Sequence, residues 1–526
     1  MIRFRLVTSI IGYLSMGYIC LMYIPLAISL IQREHNSSFA FLITIAICYI
    51  LGRLAILSDK KAEMDDLNRI ESLAVVVFGW LLLAILGAIP YMFFNLSFID
   101  SLFESMSGFT TTGSTILSDF NQLNSSMFFY RGFTQWIGGL GILVIFVALL
   151  PQLAIAGRHL FFAEVSAESK EKLSPRIKDT AYQLLLWYTI ITLLCSLALC
   201  IAGMNPLDAI SNSFATIAAA GFSPKDGSIW AYHNSSFEWI FIVFMFLAGA
   251  NFVLQVKTIK GVVGAFISKD KQKKNKTNLL YYIKLFFTDS ELLTYIAIIV
   301  ISATIITIIL SCQSWELKPT KSLIDLIRDS LFQCISVVTS TGFASLDYDK
   351  YWPVAAKSIL VILMFIGGCS GSAGGGVKVI RVLILWKYFS KILLKNIYPE
   401  SVNRIQLGNR TLRDADVQPI LTFFMFYLAV FFVCGTIIAA VENSLIAGYS
   451  GSIALLGNIG PGFSGVDPTY GLGQPASVFS IGPMGNFSNW HLISKILAVF
   501  LMWAGRLEVV ALMVFFHPEV WRGSRW

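Results

Sequence analysis

The chain has 526 residues, of which 56% are hydrophobic and 13% charged, where soluble globular domains carry about 25% charged residues. Apolar runs longer than the roughly 20 residues that a bilayer-spanning helix needs accompany 12 Trp, 19 Tyr and 41 Phe, which argues against a soluble enzyme and for a polytopic membrane protein. The net charge of +8 does not point to nucleic acid, because the Lys and Arg lie in loops between apolar runs.

In chain order the apolar runs predict ten spans, at 7–31, 38–57, 73–95, 127–150, 181–203, 237–256, 291–312, 354–385, 417–441 and 489–516. The first is too long for the apolar part of a signal peptide and has no small-residue cleavage pattern after it, so it reads as a retained span. With a cytoplasmic N-terminus, the inside segments hold 29 of the 39 Lys and Arg, which places both termini in the cytoplasm. The run Lys269 to Lys276 reads as a solvated inside loop that fixes topology, rather than as a site for anionic lipid or a partner. The eight cysteines show no Cys-x-x-Cys pair, and the five histidines no His-Glu-x-x-His context. Inert thiols are the reading, and hydrolytic or metal chemistry has no foothold.

External segments between spans three and four, five and six, seven and eight, and nine and ten each contain a half-length apolar stretch and a glycine anchor. The anchors Gly113, Gly221, Gly342 and Gly460 are spaced by 108, 121 and 118 residues, the mark of a repeated unit of span, half-helix, glycine loop and span. The implied segmentation is an N-terminal span pair at 1–72 and four pore repeats at 73–150, 151–256, 257–385 and 386–526. Thirteen residues before the first three anchors stand Asp100, Asp208 and Asp329, each expected to open a half-helix where negative charge suits the dipole. The fourth repeat has Ala447 there. Glycines are expected to interrupt the second span of each repeat, at Gly138-Gly139, Gly249, Gly367-Gly368 and Gly505.

Non-helical backbone at membrane depth is tolerated only where it is buried in protein or lines a water-filled path. Four such loops around one axis form a ring of carbonyls that replaces the hydration shell of a cation, with the negative ends of the half-helices aimed at it. The plainer alternative is four unrelated re-entrant turns, and the regular spacing weighs against it.

The segments Ser105 to Thr115 (SMSGFTTTGST), Val338 to Phe343 (VTSTGF), Asn458 to Gly462 (NIGPG), Gly367 to Arg381 (GGCSGSAGGGVKVIR) and Gly505 to Glu508 (GRLE) carry a resemblance to the Trk/Ktr/HKT superfamily of potassium transporters. It covers nearly the whole chain, and the extra span pair before residue 60 resembles the Trk branch. The resemblance implies an all-α membrane protein in the bacterial inner membrane, with four pore units in one chain and potassium as the transported ion. Backbone carbonyls of Thr111, Thr112, Gly113, Ala219, Ala220, Gly221, Ser340, Thr341, Gly342, Asn458, Ile459 and Gly460 are the implied ion site. It further implies a homodimer and a cytoplasmic nucleotide-binding regulatory subunit of the TrkA type, with no organic cofactor on this chain. Ala218 to Ala220 lack the hydroxyls of the first and third loops, which leaves carbonyls as the ligands there. All four anchors are glycine, which in this superfamily goes with preference for potassium.

Gly371 to Lys378 (GSAGGGVK) departs by one residue from a phosphate-binding loop, so nucleotide binding is rejected. Small residues there cannot hold a rigid helix at membrane depth. Tight packing is one reading of the segment. The other, implied by the resemblance, is an intramembrane gate formed by Gly371, Ser372, Ala373, Gly374, Gly375 and Gly376 with Arg506. A bare charge inside a span is costly and faces the bundle interior, and Glu508 points elsewhere on the helix. A structural ion pair with another helix is the alternative for Arg506. The favoured function is a channel-like potassium-uptake subunit; a proton- or sodium-coupled symporter is the alternative. An intramembrane enzyme would need a nucleophile and base, or facing carboxylates, and neither is present.

Overall fold

The computed structural model describes residues 3–59, 67–153, 173–267, 286–315, 317, 321–400, 404–407, 410–464, 481–518 and 520. The fold is an all-α polytopic membrane protein, with one added hairpin among the described residues. Two helices, α1 (Phe4–Ile31) and α2 (His35–Ile56), pack side by side. They are tied to the rest by side chains. Arg3 pairs with Glu71 at 2.7 Å, the Tyr18 and Tyr130 hydroxyls meet at 2.7 Å, and Glu34 accepts from the backbone nitrogens of Ser125 and Ser126.

The order of long helix, short helix, glycine loop and helix then recurs four times. First come α3 (Arg69–Met92), α4 (Phe98–Phe109) and α5 (Ser125–Leu153). Next come α6 (Leu173–Ile201), α7 (Pro206–Ile217), α8 (Ser235–Gly249) and α9 (Phe252–Ile267). The third set is α10 (Ser290–Cys312), α11 (Leu323–Val338), the single turn α12 (Tyr348–Tyr351), α13 (Val354–Met364) and α14 (Val379–Ile397). After an antiparallel hairpin of β1 (Ile405–Leu407) and β2 (Arg410–Leu412), the fourth set is α15 (Asp414–Glu442), α16 (Leu445–Leu456), α17 (Leu492–Arg506) and α18 (Val509–Met513).

Among the described residues, α1, α2, α3, α6, α10 and α15 are each long and apolar enough to cross a membrane. Their outward faces expose large apolar side chains such as Leu193, Leu197, Met425 and Val433. Such faces suit lipid. The short helices are instead central, and Phe103, Met106, Phe109, Phe332, Leu455 and Leu456 are buried.

Each short helix is capped by a side chain at its start, Ser97, Asn205, Ser322 and Ser444 respectively. Asp100 and Asp208 lie in first turns, as their positions suggested. Asp329 does not. Helix α11 has 16 residues where the other three have 12, so Asp325 takes the first turn and Asp329 lies buried further in, held by Lys321 at 2.9 Å. In the fourth set Ser444 accepts from the nitrogen of Ala447, as Ser97 does from that of Asp100, so the register holds without an acidic residue.

The second helices depart from the simple span picture in different ways. Helix α5 runs unbroken through Gly138 and Gly139, contrary to the expected interruption. These glycines serve close packing: a Cβ on Gly138 would lie 2.1 Å from the Phe109 carbonyl oxygen, and one on Gly139 2.9 Å from Ala218 Cα. At Gly249 the helix does break, with α8 and α9 bent by 102°. The span expected at 354–385 is two helices separated by residues 365–378, and the last span breaks after Arg506. Arg506 is thus the final residue of α17 and not the middle of a continuous helix. The segment Lys269 to Lys276 and residues 465–480 lie outside the described residues.

Candidate functional site

The four short helices end at Phe109, Ile217, Val338 and Leu456, and each runs into a loop with one hydrogen-bond pattern. The nitrogens of Thr112, Ala220, Thr341 and Ile459 each bond the carbonyl five residues back, at 2.8 to 2.9 Å. The backbone recurs as well. Thr111, Ala219, Ser340 and Asn458 have φ of 52°, 54°, 57° and 52°, and the anchors Gly113, Gly221, Gly342 and Gly460 have φ of 81°, 82°, 76° and 107°. Side chains differ at these positions while the chain path does not, so the shared element is backbone.

The loops close on one another in cyclic order. A Cβ on Gly113 would sit 2.1 Å from the Ala220 carbonyl oxygen, and one on Gly221 2.1 Å from that of Thr341. One on Gly342 would sit 1.8 Å from that of Ile459, and one on Gly460 2.9 Å from that of Thr112. First loop meets second, second meets third, third meets fourth and fourth meets first. Glycine is required twice over, by positive φ and by the carbonyl of the neighbouring loop. All twelve residues expected to form the ion site lie in these four contacting loops.

Side chains brace the ring from behind. Asn458 donates to Thr112 Oγ1 at 2.9 Å and to the Met502 carbonyl at 3.0 Å, and Ser114 donates to the Gly460 carbonyl at 2.8 Å. Gln135 donates to the Ala220 carbonyl and accepts from Phe222 nitrogen, so the alanine-rich second loop is held by a neighbour in place of its own hydroxyls. Buried Glu104 and Arg131 pair at 2.6 Å, and Glu104 also accepts from Ile116 nitrogen. Arg131 stacks 4.1 Å from the Phe222 ring. This pair joins the stretches that follow the first and second anchors.

On one side of the ring the four anchor glycines line a single cavity, with Ser114, Ser223 and Asn486 among its walls. Residues 365–378, which are not among the walls of that cavity, lie against the ring elsewhere. The neck of this segment is closed by a bridge between Ile366 and Val377 and by the bond from Gly367 nitrogen to the Val377 carbonyl at 2.8 Å. Its tip lies against the third and fourth loops. A Cβ on Gly374 would lie 2.6 Å from the Thr339 carbonyl oxygen, and one on Gly375 2.5 Å from that of Gly457.

The segment's backbone polar groups, which lipid would leave unsatisfied, find several partners in the protein. Cys369 nitrogen donates to the Gly249 carbonyl at 2.8 Å and Phe252 nitrogen to that of Gly371 at 3.1 Å, so the break between α8 and α9 and the segment satisfy each other. Glu291 accepts from the nitrogen of Ser370, in the segment, and from that of Ile380, in the first turn of α14. Lys378 donates to the Gly374 carbonyl. Arg506 donates to the Ala373 carbonyl at 2.8 Å and the Gly138 carbonyl at 3.3 Å. Among the described residues its partners are carbonyls and not the carboxylate of an ion pair, and Glu508 instead binds Arg381 at 2.8 Å.

Gly371 to Gly376 and Arg506, expected to act together, are therefore in contact. Sequence reasoning passed over Glu291, Lys378, Gln135 and the Glu104–Arg131 pair. Ionisable residues within apolar stretches were the available signal. Arg131 lies one turn inside the expected span 127–150, whereas Glu291 is the first residue of the span expected at 291–312.

The family described as TrkH, cation transport protein, matches residues 37–522. The Trk system potassium uptake protein TrkH of Escherichia coli K12 is 34% identical over 99% of this chain and 100% of its own length. TrkG of the same organism, also a Trk system potassium uptake protein, is 30% identical over 98% and 99%. The crystal structure of the potassium transporter TrkH from Vibrio parahaemolyticus superposes with a TM-score of 0.83 at 30% identity, covering 99% of this chain and 100% of that one.

Proposed function

From the premise that the chain belongs to the TrkH family of cation transport proteins, we propose that it carries potassium into the cell through a central pore whose filter is the ring of anchor loops. The observation that carries this reading is the cyclic contact of Gly113, Gly221, Gly342 and Gly460 with the carbonyls of the next loop. A closed ring of backbone from four loops offers a cation carbonyl dipoles in place of water. Four helix C-termini end at the ring and add negative potential there.

In this reading the segment 365–378 is the gate on the inner side, and Arg506 both holds it and places a positive charge on the path. The chain sits in the bacterial inner membrane with both termini in the cytoplasm, as its loop charges favour. It works as a homodimer with a cytoplasmic nucleotide-binding subunit of the TrkA type, whose role is to release the gate. The name Trk system, carried by the relatives, supports a partnered assembly. Potassium uptake is restored when the chain is expressed, with a compatible regulatory subunit, in a host lacking its own potassium transporters. Absence of uptake with that subunit demonstrably bound contradicts the reading.

A further inference from the structure

The residue two before each anchor has the same left-handed backbone in all four loops but a different side chain: Thr111, Ala219, Ser340 and Asn458. Each is buried. Thr111 Oγ1 has no hydrogen-bond partner among the described residues. Ser340 differs, because its Oγ accepts from the backbone nitrogen of Gly375, at the tip of the segment beneath the ring, at 2.6 Å. That tip has little room to shift sideways. A Cβ on Gly374 would lie 3.3 Å from Ser340 Oγ, and one on Gly375 would lie 2.9 Å from Asn458 Cβ.

We propose that Ser340 is the latch of the gate: a residue of the ring whose hydroxyl holds the tip of the segment 365–378 in its closed position. The proposal rests on the reading of the ring as filter and the segment as gate, and adds the residue that joins them. Seated against the ring, Gly375 nitrogen is buried and needs an acceptor. Once the segment withdraws into a wet path, water supplies one. Removing the Ser340 hydroxyl therefore penalises the closed state and leaves the open state nearly unchanged, since an unsatisfied buried amide is costly and a hydrated one is not. Ser340 is a positioning residue in this role, acting on the path through the segment that it holds.

The ring itself supplies the variants. Ala219 shows that alanine adopts this backbone in this protein, with φ of 54° against 57° at Ser340, and Thr111 shows the same for threonine at 52°. Ser340→Ala thus removes the hydroxyl without straining the loop, and Ser340→Thr retains it. The readout independent of transport is Cys369, which is buried in the segment at 1% exposure. The full chain, carrying Cys369 as its sole cysteine, is reconstituted in liposomes. Maleimide labelling of Cys369, potassium flux and the sodium-to-potassium permeability ratio are measured together.

Ser340→Ala should raise the labelling rate and the potassium flux of the chain alone on the order of tenfold, as loss of one buried hydrogen bond implies. Ser340→Thr should return both toward the parent values. Faster labelling in Ser340→Ala, reversed in Ser340→Thr, with no potassium flux from any of the proteins even when the regulatory subunit is bound, upholds the hold of Ser340 on the segment and overturns the pore reading. A conducting parent whose Ser340→Ala variant labels no faster and conducts no better overturns the latch. So does a changed permeability ratio with unchanged labelling, since Ser340 would then act in the ring alone.

Discussion

Arg506 Nη1 donates to the carbonyl oxygen of Ala373 at 2.8 Å, joining the end of α17 to the middle of the segment that covers the ring. The same guanidinium reaches the Gly138 carbonyl on α5, so one side chain spans from the fourth set of helices to the first. Replacing Arg506 with Ala removes both bonds and a positive charge that repels a permeating cation. Potassium flux of the purified chain in liposomes should rise roughly tenfold. Arg506→Lys keeps the charge but lacks the planar fork that serves two carbonyls, and should fall between parent and Ala. Flux at or below the parent value in a properly assembled Arg506→Ala protein would remove this residue from the barrier.

Substitutions at the anchors should rank by the contacts around the ring. A Cβ on Gly342 would meet a backbone oxygen at 1.8 Å, on Gly113 and Gly221 at 2.1 Å, and on Gly460 at 2.9 Å. Backbone oxygens cannot swing aside as a flexible side chain does, and a left-handed φ costs a non-glycine residue on the order of 1–3 kcal/mol. Gly342→Ser and Gly113→Ser should admit more sodium, with Gly460→Ser the mildest change, in bi-ionic reversal potentials. Identical permeability ratios in all the variants would show that these loops do not select the ion.

The Glu104–Arg131 pair sets a stability prediction. Arg131→Met leaves a buried carboxylate without its cation, at a cost of about 3–5 kcal/mol, and frees the stretches after the first two anchors. The purified protein should unfold at a markedly lower temperature, and Glu104→Gln added to Arg131→Met should recover much of the loss. A single variant as stable as the parent would mean that the pair contributes nothing.

Shortening the covering segment tests its role without disturbing its base. Deleting residues 372–375 leaves both the Ile366–Val377 bridge and the Glu291 contacts to Ser370 and Ile380 available. Flux should rise and lose most of its dependence on the regulatory subunit, because little barrier remains for that subunit to control. A folded, shortened protein that conducts like the parent would make the segment packing only.

What the sequence made legible was the backbone logic. The anchor spacing located four loops whose φ values then coincide, because glycine is the residue whose presence states a backbone requirement. Gly138 and Gly139 misled for the same reason. A glycine pair reads equally as a helix break or as a close crossing, and only the neighbouring Phe109 and Ala218 decide for the crossing. Asp329 was misplaced because one extra helical turn in α11 shifts the cap back to Ser322 while the spacing to Gly342 is unchanged. Glu291 and Gln135 were illegible as parts of the site, since each acts on backbone groups brought near by the fold: Gln135 reaches Ala220 across 85 residues, and Glu291 reaches Ser370 across 79.

The central claim, a potassium-selective pore formed by the ring, is tested most directly by current through the purified protein with its regulatory subunit in a planar bilayer under a potassium gradient. The current should reverse at the potassium equilibrium potential and stay there when proton or sodium gradients are imposed. A reversal potential that moves with either gradient, or a current that does not distinguish potassium from sodium, would contradict it.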